Sequence, residues 1–252
     1  MNEKEVMATE QKFMANIFSK RPVVLTKGKG ALVWDINGKE YVDCIGGYGV
    51  CIVGHCHPKV VEAVKGQVDT LISCHSSLYN DVRTAFLQRI LEIVPKELNK
   101  VLPVNSGAES VEAAIKLARK FTCKTDVIAM MGAFHGKTLG ALSATWDKKY
   151  REPFLPLVPG FMHVPFGKAE RVEEAITDKT AAVIVEPIQG EGGVRIPHDG
   201  YLKELRGICD DRNVLLIFDE VQTGFGRTGR MFACEHSGVV PDIMCLAKGL
   251  AG

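Results

Sequence analysis

The chain has 252 residues, nearly half of them apolar, which is enough to bury one large core or two smaller ones and gives no sign of disorder. Its 31 Lys and Arg almost balance its 30 Asp and Glu, so there is no basic field to gather nucleic acid and no acidic tail. The longest apolar runs, such as 181–185, are far below a membrane span, and the first residues lack the apolar centre of a signal peptide, so a soluble, cytoplasmic chain with no membrane partner is expected.

In chain order, residues 4–18 read as a short helix. Residues 22–44 read as short strands with turns at Gly28-Lys29-Gly30 and Asn37-Gly38, a small β-rich layer. Gly54-His55-Cys56-His57-Pro58 invites a metal reading, but adjacent residues diverge along a backbone and structural zinc ligands are usually spaced by two to four residues. A tight turn opening a helix at Pro58 fits better. Helical periodicity follows at 58–68 and 81–94. Apolar strands at 101–104, 127–131, 161–164, 181–186, 214–219 and 243–247 then alternate with helices at 108–121, 168–177 and 199–212. That alternation predicts an α/β fold whose largely parallel sheet is covered on both faces. The eight cysteines, at 44, 51, 56, 74, 123, 209, 234 and 245, form no Cys-x-x-Cys pair and read as small buried hydrophobes rather than a disulfide framework.

Three strand ends carry chemistry. After 101–104 comes Asn105-Ser106-Gly107-Ala108-Glu109, whose small residues leave helix-start amides open to a phosphate; the same letters make a capping box, and both readings stand. After 127–131 comes Gly132-Ala133-Phe134-His135-Gly136-Lys137-Thr138. As a nucleotide loop it fails, because three residues rather than four separate its first glycine from Gly-Lys, two of them bulky. Alternatively Phe134 lies over a flat ring, or is simply a core phenylalanine. The run 214–219 ends abruptly in Asp219, and Lys248 follows 29 residues later after a second short apolar run. A carboxylate to pair with a pyridinium nitrogen and a lysine to form a Schiff base are what pyridoxal phosphate chemistry requires, and open α/β folds place ligands at such strand ends.

These segments, with Glu186-Pro-Ile-Gln-Gly-Glu191-Gly-Gly193, the stretch from Phe218 to Gly229 and Leu246-Ala-Lys248-Gly249, resemble the class III, or ω-amino acid, aminotransferases in the family's order. The resemblance runs from about residue 20 to the last residue. It implies a fold type I pyridoxal phosphate-dependent transferase, aspartate aminotransferase-like, with 1–56 contributing to a small domain and 57–252 forming an incomplete large domain. It makes Lys248 the Schiff-base lysine, Asp219 the partner of the ring nitrogen, Gln222 a neighbour of the ring hydroxyl and Phe134 the residue facing the ring. Ser106, Gly107 and Ala108 would hold the phosphate, and His135, Glu186 and Val221 would also border the cofactor. Tyr48, Lys137 and Glu191 match substrate-bordering positions.

The implied reaction moves the terminal amino group of a diamine or ω-amino acid to a 2-oxo acid, ping-pong, in a homodimer. A racemase or epimerase uses the same parts. Two departures matter. Many relatives that take acetylornithine, ornithine or 4-aminobutyrate carry arginine where this chain has Lys137, and lysine offers a point charge instead of a fork; putrescine aminotransferases resemble the chain here, so putrescine joins the candidate donors. The sequence also stops four residues after Lys248, where full-length relatives continue, so a fragment without the C-terminal domain, or an inactive truncated relative, is expected.

Overall fold

The computed structural model describes residues 1–15 and 17–251, in two compact units, Met1–His75 and Ser76–Ala251. The first unit opens with helix α1 (Glu3–Phe13), shorter than the predicted 4–18, started by a reciprocal cap in which Asn2 Oδ1 accepts the Glu5 N–H and the Glu5 carboxylate accepts that of Asn2. Strands β1 (Leu25–Lys29), β2 (Leu32–Asp35) and β3 (Glu40–Val42) form the expected β-rich layer as an antiparallel sheet. Asp35 holds the β2–β3 turn by accepting the N–H groups of Asn37 and Lys39, both at 2.9 Å, and the Tyr41 hydroxyl at 2.8 Å. A single kinked turn, α2 (Gly46–Gly49), precedes α3 (Pro58–Val68), which Pro58 begins at the position where a missing N–H costs nothing.

The second unit begins with α4 (Asp81–Ile93) and α5 (Gly107–Thr122). It continues through β4 (Asp126–Met130), α6 (Leu139–Ala144), α7 (Lys148–Arg151), β5 (Phe161–Val164), α8 (Ala169–Ala175), β6 (Thr180–Val185), α9 (Tyr201–Arg212), β7 (Leu215–Asp219), α10 (Cys234–Ser237) and β8 (Ile243–Cys245). The five strands are all parallel, in the order β5-β4-β6-β7-β8. Successive residues point to opposite faces, and both faces are apolar. Ile128, Met130, Val183, Val185, Leu216 and Phe218 pack against Val172 of α8 and Leu205 and Cys209 of α9. Val127, Ala129, Ala182, Ile184 and Ile217 pack against Val111, Ala114, Ile115 and Ala118 of α5. Each of these larger aliphatic side chains contributes about 1.5–3 kcal/mol through burial.

Two sequence expectations need correction. Residues 101–104 form no strand, because Pro103 has no N–H to give a ladder. Only Cys209, Cys234 and Cys245 are buried; Cys44, Cys56 and Cys123 are exposed and Cys51 and Cys74 partly so, since these lie in turns and at a helix end rather than in the sheet or its covering helices. Helix α6 has no amphipathic stripe to betray it in the sequence. Its start is capped from α5, where Glu112 Oε1 accepts the N–H groups of Gly140 and Ala141 at 2.8 and 3.0 Å. Among the described residues no helix is long and apolar enough to cross a membrane.

Candidate active site

Chain order reverses between β4 and β6: β5 lies on one side of β4 and β6 returns on the other. Parallel sheets bind ligands outside the strand carboxyl ends at such a reversal. The segments leaving β4, β6, β7 and β8 carry Phe134 and His135, Glu186, Asp219 to Gln222, and Lys248 respectively.

Asp219 ends β7 almost completely buried. Its Oδ2 lies 2.7 Å from His135 Nδ1, with side-chain exposures of 4% and 0%, and its Oδ1 accepts the Val221 N–H at 3.0 Å. The carboxylate accepts, so Nδ1 carries the proton in this pair. The His135 N–H donates to Thr145 Oγ1 at 2.9 Å, which fixes the loop, while the buried Nε2 meets no hydrogen-bond partner among the described residues. Burial pushes the imidazole down, yet the bond to Asp219 and the charges of Asp219 and Glu186 outweigh it and leave His135 easier to protonate than a free histidine.

Glu186, just beyond β6, accepts the N–H of Phe134 at 3.1 Å and that of Gly190 at 3.2 Å. Burial, helped by the neighbouring charge of Asp219, pushes its carboxyl up to about 7, although His135 and the two N–H groups pull the other way. Lys248 follows β8 with φ at +41°, a left-handed conformation that costs a non-glycine residue on the order of 1–2 kcal/mol and that clusters at functional sites. Its Nζ donates to Gln222 Oε1. Burial holds the amine below the ordinary lysine value against the charges of Glu191, Asp219 and Glu186.

Close backbone approaches explain the glycines around these groups. A Cβ on Gly107, at the start of α5, would stand 2.8 Å from Val221 Cγ1 and 3.3 Å from Ala247 Cβ. A side chain at Gly190 would collide with the Gln222 amide. Ser106 Oγ accepts the Glu109 N–H at 3.2 Å, so the cap is made, and Glu109 reaches the Asn105 N–H instead of its cap residue. The amides of Gly107 and Ala108, in the first turn of a 16-residue helix, have no intrahelical acceptor and suit an anion.

Beside Phe134 opens a cleft of about 500 Å³ lined by Trp146, Lys149, Tyr150, Glu191 and Arg195 among others. Phe134 and Tyr150 meet edge to face, 5.5 Å between centroids, and Lys137 Nζ stands 5.6 Å from the Tyr150 ring centre. Trp146, Tyr150 and Arg195 were not singled out from the sequence; the aromatic pair at 146 and 150, just after a loop already under suspicion, was the available signal. Tyr48 belongs to the first unit, in the α2 turn, with φ at +57° and a largely exposed ring. The groups gathered in the second unit fit pyridoxal phosphate: small residues at a helix start for a phosphate, a buried carboxylate backed by an imidazole for a ring nitrogen, and a half-buried amine of depressed basicity.

The sequence matches the family description Aminotransferase class-III over residues 13–252. It is 59% identical over 241 residues to an acetylornithine aminotransferase of Methanopyrus kandleri, covering 96% of this chain and 62% of that protein. An acetylornithine aminotransferase of Methanocaldococcus jannaschii is 50% identical over 258 residues, covering 100% of this chain and 64% of the relative. An ornithine aminotransferase structure from Toxoplasma gondii superposes with a TM-score of 0.92 at 38% identity, covering 98% of this chain and 60% of the other. The chain thus spans a little under two thirds of the length of these relatives.

Proposed function

The chain belongs to the class III aminotransferases, and from that premise we propose that it forms the pyridoxal phosphate-binding part of a transaminase that moves the terminal amino group of an acetylornithine- or ornithine-type donor to a 2-oxo acid. The observation that supports this most is the convergence, at neighbouring strand ends, of Asp219 clamped by His135 and of Lys248 resting on Gln222. When bound, the cofactor supplies an aldehyde that a lysine amine can capture and a ring that draws electrons from the substrate carbon.

The protein's own groups divide the remaining work. Gly107 and Ala108, with Ser106, receive the phosphate on helix-start amides. Asp219 would hold the ring nitrogen and favour its protonated form, and its two existing bonds keep the carboxylate from rotating away. Phe134 would cover a face of the ring, and Gln222, which accepts from Lys248, would be available to the ring hydroxyl. Lys248, its basicity lowered by burial, has a larger neutral fraction than an exposed lysine and serves as nucleophile and then as the base that moves the proton at the substrate carbon. Lys137 and Glu191 border the donor. A cytoplasmic homodimer completes the proposal.

The test is the visible spectrum of the purified chain titrated with pyridoxal phosphate, before and after borohydride, for wild type and Lys248→Ala. A Schiff-base band fixed covalently in the wild type and absent from the variant is expected, followed by turnover of acetylornithine or ornithine above putrescine. A folded wild-type chain that forms no band refutes the cofactor reading; a band with putrescine as the preferred donor refutes the donor class alone.

A further inference from the structure

Within the first unit, Cys51 and Asp43 stand on either side of the His55 ring. His55 Nε2 lies 2.7 Å from Asp43 Oδ2, and Cys51 Sγ lies 3.7 Å from His55 Nδ1. A carboxylate that accepts from Nε2 puts the ring proton there, which leaves the Nδ1 lone pair facing the thiol. Each member is held. Asp43 Oδ1 accepts the N–H groups of Ile45 and Gly46, both at 2.9 Å. The His55 backbone pairs in both directions with Gly30, at 2.8 and 2.9 Å, and its ring lies against Gly28, where a Cβ would stand 2.9 Å from His55 Cγ. The Cys51 N–H donates to the Gly46 carbonyl at 2.9 Å. Nucleophile, base and orienter of the base are therefore in mutual reach, the arrangement that activates a thiol.

The other cysteines are differently placed. Cys209 and Cys234 are buried and their thiols are pushed up to about 12 by that burial; Cys245 is raised for the same reason. The thiols of Cys74 and Cys123 donate to the carbonyl oxygens of His75 and Lys120, so neither has an imidazole as its hydrogen-bond partner in those contacts. Cys51 is partly exposed, so a small reagent can reach it.

We propose that Cys51 is a thiol-modification site for low-molecular-mass disulfides, with His55 as its base and Asp43 as the residue that positions the base. As Cys51 sulfur attacks one sulfur of the reagent, the S–H proton passes to His55 Nδ1, a new S–S bond forms to Cys51 and the reagent's own S–S bond breaks. The departing thiolate takes the proton back from His55. Cys51 is oxidised to a mixed disulfide, the reagent is reduced by the same two electrons, and an added small thiol reverses the exchange.

The experiment treats the full chain with a limiting amount of the chromogenic disulfide dithiobis(nitrobenzoate) at neutral pH and maps all eight cysteines by mass spectrometry over time. Cys51 is expected to react about tenfold faster than the more exposed Cys44, Cys56 and Cys123, a margin well within what a positioned base supplies. His55→Asn and Asp43→Asn are each expected to bring Cys51 down to the rate of those three while leaving theirs unchanged, which separates loss of the base from a loosened first unit. If either variant fails to fold, the wild-type ranking still decides, because exposure alone would put Cys44, Cys56 and Cys123 first. The proposal is overturned by a wild type in which these react as fast as Cys51, or by folded variants in which the Cys51 rate does not move.

Discussion

Glu186 should make the stability of this chain fall as pH rises through the neutral range. The residue is 5% exposed, and burial, its largest influence, moves its pKa from the ordinary 4.5 to about 7. A carboxyl with a raised folded pKa contributes stability that is fully present below its unfolded value and lost as pH climbs through the folded one. Between pH 4.5 and about 7 the folded chain keeps a proton that the unfolded chain has released, so the difference is worth roughly 3 kcal/mol against folding by pH 8. Glu186→Gln cannot release that proton. The variant turns an amide NH2 toward one of the N–H groups of Phe134 and Gly190, at a cost of about 1–3 kcal/mol, but that cost does not depend on pH. Urea unfolding of both proteins at pH 5 and pH 8, read as midpoint times slope, should show the stability of the variant relative to wild type shifting in its favour by roughly 2.5 kcal/mol at the higher pH. Parallel changes in the two proteins would refute the assignment of the proton to Glu186.

Two further substitutions probe the same strand ends. Gly107→Ala places a methyl 2.8 Å from Val221 Cγ1, so it should cost about 1–3 kcal/mol in urea unfolding and weaken pyridoxal phosphate binding about tenfold by spectral titration. Adding Val221→Ala should recover most of both losses, and an unaltered Gly107→Ala protein would disprove the close approach. Glu220 accepts the Thr223 hydroxyl at 2.5 Å, the Ala233 N–H at 2.9 Å and the Cys234 N–H at 2.8 Å, closing the base of the loop that carries Val221 and Gln222. Glu220→Ala leaves three polar groups unmet and should destabilise by at least about 3 kcal/mol; Glu220→Gln, which keeps one acceptor, should lose clearly less, and equal midpoints for the two would disprove the clamp.

The strand ends were legible in the sequence because a parallel sheet covered on both faces leaves a plain mark: an unbroken apolar run that stops at a polar residue. The runs at 181–186 and 214–219 announced β6 and β7 to within a residue at each end. The run 101–104 has the same letters but contains Pro103, and a missing N–H outweighs apolar character. Helix α6 escaped because Leu-Gly-Ala-Leu-Ser-Ala carries no period, its place being set by Glu112 from another helix. Pairings across long separations were illegible for a related reason. His135 and Asp219 are 84 residues apart, and no local pattern in either loop says that an imidazole nitrogen will stand beside that carboxylate.

Asp219, Glu220 and Glu186 show why residue type and burial alone do not define a site. All three are acids just at or after the end of a buried strand, and all are nearly inaccessible. Glu220 is surrounded by a hydroxyl and two N–H groups from its own loop, so its acceptors are occupied by structure, and burial raises its pKa without giving a ligand access. Glu186 accepts two backbone N–H groups and feels Asp219 beside it; its answer to burial is to hold a proton near neutrality, which limits the negative charge stored in the site. Asp219 alone of the three is backed by an imidazole from another strand end, one easier to protonate than usual, and each of its oxygens retains capacity for a further hydrogen bond. A carboxylate paired in this way, flanked by a neighbour that keeps its own proton, has room for one more cationic group, which is what the proposed contact with a pyridinium nitrogen would require.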